Sequence, residues 1–243
     1  MLKHTKSGQK GNVLFMILIA IVLFAGLTYA ISNSNRGTSN MDRERGSISA
    51  TDFLSYGQGM EKMTARMLGN DISENGISFE NSIWKQYDGT DVMGANASCT
   101  VADCKMFDPA GGGQTPKTFA QQSVSSPANA DVQSGHGVVY SLKVAGVGST
   151  AHDLVLMIAV IDQNTCKQIN TSLGITNPSD APPADSWAGA VRYTGALTGP
   201  DDATDEIGDV ATQINGKTAG CITRSGGAYG TADNYYYQVL YAR

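Results

Sequence analysis

"SGQKGNVLFMILIAIVLFAGLTYAISNSN", residues 7–35, is the stretch on which the reading of this chain turns. Lys3, Lys6 and Lys10 precede an apolar run with no acidic residue among them, and residues 13–31 are apolar apart from Gly26 and Thr28. Wound as a helix, that run is roughly 28 Å long, the thickness of a bilayer's hydrocarbon core. It is therefore expected to span. The lysines hold its N-terminal side in the cytoplasm by the positive-inside rule, so the chain beyond about Ser32 is expected to be exported. A second reading cuts the run away: "TYA", residues 28–30, is a small-residue site at which a secretory signal would be cleaved after Ala30.

The rest of the chain agrees with export. A length of 243 residues accommodates one substantial domain or two small ones. Only 16% of residues are charged, while Gly, Ser, Thr, Asn and Ala are plentiful, a balance more usual in exported, β-rich or loop-rich proteins than in cytosolic enzymes. The net charge of −5 and the lack of a basic stripe interleaved with aromatics exclude the electrostatic footprint of a nucleic-acid binder.

Beyond the apolar run, "SNSNRGTSNMDRERGS", residues 32–47, reads as a frayed or broken connection. In "ATDFLSYGQGMEKMTARMLGN" the spacing of Phe53, Tyr56, Met60, Met63 and Met67 predicts an amphipathic helix with a core-facing stripe, stopped by Gly69 and Asn70. Residues 71–130 are loop-dominated, with one short strand expected near 77–83. "HGVVYSLKVAG" alternates, placing Val138, Tyr140, Leu142 and Val144 on one face. "HDLVLMIAVID" is a continuous apolar run at 154–161 that fits a central strand, and "GVGST", residues 146–150, turns the chain between the two. "DQNTCKQINTSLGI" reads as a short helix burying Ile169 and Leu173 and ending at Gly174. "NYYYQVLYAR" closes with an aromatic strand over 235–241.

Cys99, Cys104, Cys166 and Cys221 are even in number and avoid the apolar run, which on an exported chain means two disulfides. Three connectivities are open. If "CTVADC" closes on itself, Cys166 is left for Cys221, and the longer loop gives the larger stabilisation, about 4 kcal/mol. A metal site would require thiolates at two-residue spacing or histidines nearby, and the sequence has neither.

The leader pattern of lysine, glycine, a polar residue and an unbroken apolar helix, "QKGNVLFMILIAIV", resembles the type IV pilin-like superfamily. "TCKQINTSLGI" and "YYYQVLYAR" are similar to the C-terminal parts of its minor pilins and pseudopilins. The resemblance covers both ends of the chain and leaves residues 71–130 unmatched. It implies cleavage between Gly11 and Asn12 with N-methylation of Asn12, and a helix, opened by Val13, Leu14, Phe15, Met16 and Ile17 and closed by Ile31, that packs in a filament core. It also implies a C-terminal loop closed by a disulfide. Other pilin-like subunits, an inner-membrane assembly platform and a prepilin peptidase are the implied partners. One departure stands out: the family usually carries Glu at the fifth mature position, where this chain has Met16. A lone carboxylate is costly in lipid, so Met16 spares that cost but gives up the pairing that sets register in a major subunit. Tip-located minor pseudopilins share this lack.

Chemistry offers less. His136 and His152 flank predicted strands, and drawing His152, Asp153 and Ser149 into a triad lacks any nucleophile-elbow signature. "GGGQTPK", residues 111–117, does not have the spacing of a phosphate loop. "DISENG", residues 71–76, begins like a calcium loop but has Ser82 where the bidentate Glu belongs. "GPDDATDE" sets Asp201, Asp202, Asp205 and Glu206 in one loop. They form either a solvated acidic turn or, as pseudopilins hold calcium in a loop near the C-terminal strands, a calcium site that relieves the repulsion.

The expected protein is α+β and not an enzyme. A long N-terminal helix, transmembrane in its first half and amphipathic in its second, packs on an antiparallel sheet in a pilin-like, loop-rich, disulfide-stapled head. Residues 1–11 are the leader, 12–31 the membrane and filament-core helix, 32–70 the linker and amphipathic continuation, and 71–243 the head. The head lies in the periplasm or in an extracellular filament. The alternative is an exported or membrane-anchored periplasmic binding domain, or an enzyme, its signal cut after Ala30 or left in place.

Overall fold

The structure, a computed structural model, describes residues 12–34, 36–85, 94–123, 133–159, 161–186, 191–199, 206–224 and 233–243. It divides into two units, Met1–Glu44 and Arg45–Arg243. The fold is α+β, with three α-helices and a seven-stranded mixed sheet among the described residues.

The first unit contains α1, Asn12–Ser34, and the opening turns of α2, Arg36–Gly69. Leucine and alanine favour the helix, no proline interrupts it, and the Thr28 hydroxyl donates to the carbonyls of Phe24 and Ala25, 2.8 and 3.0 Å away. Among the described residues no helix is long and apolar enough to cross a membrane. The broken connection expected over residues 32–47 is corrected: α1 continues to Ser34 and α2 begins at Arg36. Asn, Ser and Gly each weaken a helix by no more than about 1 kcal/mol. Gly46 is buried, and a Cβ there would lie 2.6 Å from Asn164 Nδ2, so this glycine admits a neighbouring helix rather than ending its own.

In the second unit the strands are β1 Gly137–Val144, β2 Asp153–Ala159, β3 Ala184–Asp185, β4 Val191–Arg192, β5 Glu206–Ile207, β6 Ala219–Arg224 and β7 Asp233–Tyr241. Helix α3, Gln163–Ser172, follows β2; Asp162 caps it by accepting from the Thr165 amide, and Gly174, at φ +67°, turns the chain away. The order is β3-β6-β7-β2-β1-β4, with β5 also on β1. The four long strands pair antiparallel, as expected, but β1 with β5 and β3 with β6 are parallel. That corrects the wholly antiparallel sheet: the chain returns to the edges in two-residue strands too short to carry a sequence signal.

Strand β2 is buried along its whole length, and β1 is buried on both faces except at half-buried Lys143. Register assigns the faces. Tyr236, Cys221, Ile158 and Val139 share one, and α2 covers it: Phe53 meets Tyr236 at 5.7 Å and stacks on Phe119 at 4.0 Å, while Gln238 Nε2 donates to Glu61. Val138, Met157, Tyr237 and Ile222 share the other. There the Tyr237 hydroxyl donates to the Lys217 carbonyl, and Ile207, Ala211 and Ile214 are buried. Described residues between α3 and β6, Lys217 among them, therefore pack against that face.

No strand forms over residues 77–83, a further correction; Ser78 makes a single bridge to Lys105. Asn81 folds that segment into a turn, its Oδ1 accepting from the amides of Ile83 and Trp84, which competes with strand pairing.

Candidate functional site

The apolar surface of α1 is the feature with the clearest chemistry. Eleven large apolar side chains from Phe15 to Tyr29, Met16 and Ile17 among them, are 41% to 72% exposed. Phe15, Met16, Ile17, Leu18 and Ile19 are consecutive and, at about 100° per residue, encircle the helix. A surface apolar all round has no solvent face. It can take up lipid or another apolar helix, and it offers no group for acid, base or nucleophile. Asn12 begins α1, and Val13, Leu14 and Ile31 lie within it; Gly11 lies outside the described residues.

Both disulfides form between the cysteines that local closure would pair, Cys99 with Cys104 and Cys166 with Cys221. The second joins α3 to β6, and beside it Asn170 does what a strand neighbour would: its Oδ1 accepts from the Cys221 amide and its Nδ2 donates to the Cys221 carbonyl, both at 2.8 Å. The sequence reading missed Asn170. The available signal was its position one helical turn after Cys166, on the same face of α3.

The acidic loop is only partly in view. Asp201, Asp202 and Asp205 lie outside the described residues, and Glu206 opens β5 opposite Lys143. Among the described residues no three His, Cys, Asp or Glu side chains come together as metal ligands. Buried Asp185 accepts from the amides of Gly208 and Ser186 at 2.6 and 2.8 Å, and burial, with Asp209 beside it, raises its carboxyl above the ordinary range. In "DISENG" the backbone is committed elsewhere: Gly76 donates to the Ser73 carbonyl, and the Asn75 carbonyl accepts from Asn96 Nδ2.

Asp153 is a framework residue. Its carboxylate accepts from the amides of Arg243 at 2.9 Å and Val144 at 3.3 Å, and burial pushes it up to about 6 against the opposing pull of those two amides. Ser149 Oγ accepts from the Ala151 amide within the turn joining β1 to β2. The glycines of "GGGQTPK" let backbone approach backbone, a Cβ on Gly111 falling 2.2 Å from the Lys105 carbonyl, and Arg66 donates to the carbonyls of Gly111 and Gly112. A shallow pocket of about 270 Å³ opens nearby, lined by Glu80, Ser82, Lys105, Phe107 and Asp108 among others; Lys105 and Glu80 pair across it at 3.8 Å.

The chain matches no family model, no curated protein and no solved structure.

Proposed function

We propose that this chain is a minor pilin-like or pseudopilin-like structural subunit that works by assembly through α1. The observation that carries the reading is the apolar girdle of Phe15 to Tyr29, all of its large apolar side chains exposed, in a chain whose second unit packs separately and is stapled by both disulfides. In water such a helix would aggregate, whereas in a bilayer or a bundle of like helices it is satisfied. Gly11 and Asn12 form the processing site, residues 12–31 span the inner membrane before assembly, and the α+β unit is carried outside it, where disulfides persist. Sister subunits, an assembly platform and the leader peptidase are the partners. With Met16 in place of the family's carboxylate, the helix lacks the buried charge that would pair with a neighbouring N-terminal amine, which suits a minor rather than a repeating position.

The test is the intact mass and N-terminal sequence of protein purified from membranes of its native host. A chain beginning at methylated Asn12 supports the proposal. A start near Ile31 overturns it in favour of a released exported domain, and an uncut Met1 overturns processing and leaves an anchored protein.

A further inference from the structure

His136 stands just ahead of β1, and its ring is used as an acceptor: the Lys85 amide donates to Nδ1 at 3.0 Å. The other half of the same residue is held by the Gln133 amide, which donates to the Lys85 carbonyl at 3.2 Å. His136 is itself anchored through its backbone, its amide donating to Gln133 and its carbonyl accepting from Ala159 at the end of β2. Immediately before Lys85, Trp84 is fully buried, its Nε1 donating to the Lys117 carbonyl at 2.8 Å and its ring set edge-on to Phe107. It lies so close over Gly137 that a Cβ there would fall 2.6 Å from the indole. The ring of His136 thus secures the peptide that follows a buried tryptophan.

A neutral imidazole has one acceptor nitrogen, and the imidazolium has none. Protonation would point an N–H at the Lys85 N–H and set a cation near the Lys85 ammonium. Burial, and then that ammonium, lower the proton affinity of the ring below the usual histidine range. Among the described residues Lys117, whose carbonyl holds the Trp84 indole, is paired with Asp52. We propose that His136 is a proton-operated latch: its neutral ring holds Lys85, and with it Trp84, against the start of β1, and protonation releases both.

The experiment follows the full chain in detergent micelles through a pH titration, reading the His136 ring by NMR, Lys85 amide exchange relative to its intrinsic rate, and Trp84 fluorescence in a Trp187→Phe background. The expected result is a His136 midpoint below about 6.5, with Lys85 protection falling at least tenfold and Trp84 emission shifting to the red at that same midpoint. His136→Gln, which keeps an acceptor but does not titrate, should abolish both steps. A His136 midpoint at or above 6.5, unlinked Lys85 and Trp84 signals, or a step that survives in His136→Gln overturns the latch. Should the variant fail to fold, the coincidence or separation of the three wild-type midpoints decides.

Discussion

The side-chain amide of Asn170 and the backbone of Cys221 exchange two hydrogen bonds of 2.8 Å, so that one residue of α3 completes the outer edge of β6. An exposed strand edge invites pairing with foreign chains. Here α3 closes it at the residue that also carries the disulfide. Asn170→Ala leaves a buried N–H and a buried C=O without partners and should cost about 2–4 kcal/mol, read as a lower urea midpoint at unchanged slope. A loss under 0.5 kcal/mol would mean that water replaces the amide.

The two disulfides should differ in worth. Cys166–Cys221 spans 55 residues and Cys99–Cys104 spans 5. Loop-closure entropy assigns about 4 kcal/mol to the first and about 2 to the second. Paired Cys→Ala variants compared by urea unfolding should keep that order, and a reversal would show that strain or native contacts outweigh chain entropy.

Gly57 should not tolerate alanine, although alanine is the better helix former by about 1 kcal/mol. Its added Cβ would fall 2.1 Å from the hydroxyl of Tyr236, a ring with no room to retreat because it is fully buried against Phe53. Gly57→Ala is expected to lose about 1–3 kcal/mol. Tyr236→Phe removes the clashing atom, so the double variant should be less destabilised than the sum of the two singles. Strict additivity would place the clash elsewhere.

Asp153 gives a pH dependence of definite sign. Its carboxyl is pushed up to about 6 in the folded chain, chiefly by burial, from 3.8. Between those values the folded state binds more protons than the unfolded one. The contribution of Asp153 to stability is therefore greatest at low pH and is lost as pH rises through about 6. Glu61 and Asp185 are shifted in the same direction. The Tm of Asp153→Asn minus that of the wild type should climb from pH 4 to pH 6 and then level off. A flat difference would mean that the folded carboxyl titrates normally.

Local patterns carried much of this fold. The continuous apolar run at β2, the aromatic strand β7, the stripe of Phe53, Tyr56, Met60 and Met67, and the Asp162 cap and Gly174 stop of α3 each follow from residues within a few positions of one another. The cysteine pairing was legible for the same reason, since Cys99 and Cys104 are near neighbours. The candidate site was legible too: the apolar girdle of α1 is a property of consecutive residues. Residues 32–47 misled because weak helix formers suffice where no proline intervenes.

What the sequence determined by itself was the α1 surface, strands β1, β2 and β7, the second half of α2 and α3, because burial periodicity and capping act over one or two turns. Tertiary structure decided the rest. Strand β6, the two-residue strands β3, β4 and β5, the packing of Lys217 against Tyr237, and the clamp of Asn170 on Cys221 all join groups distant in the chain. Their partners are selected by which backbone and apolar groups remain unsatisfied after the local elements have packed, and that choice leaves no periodic trace.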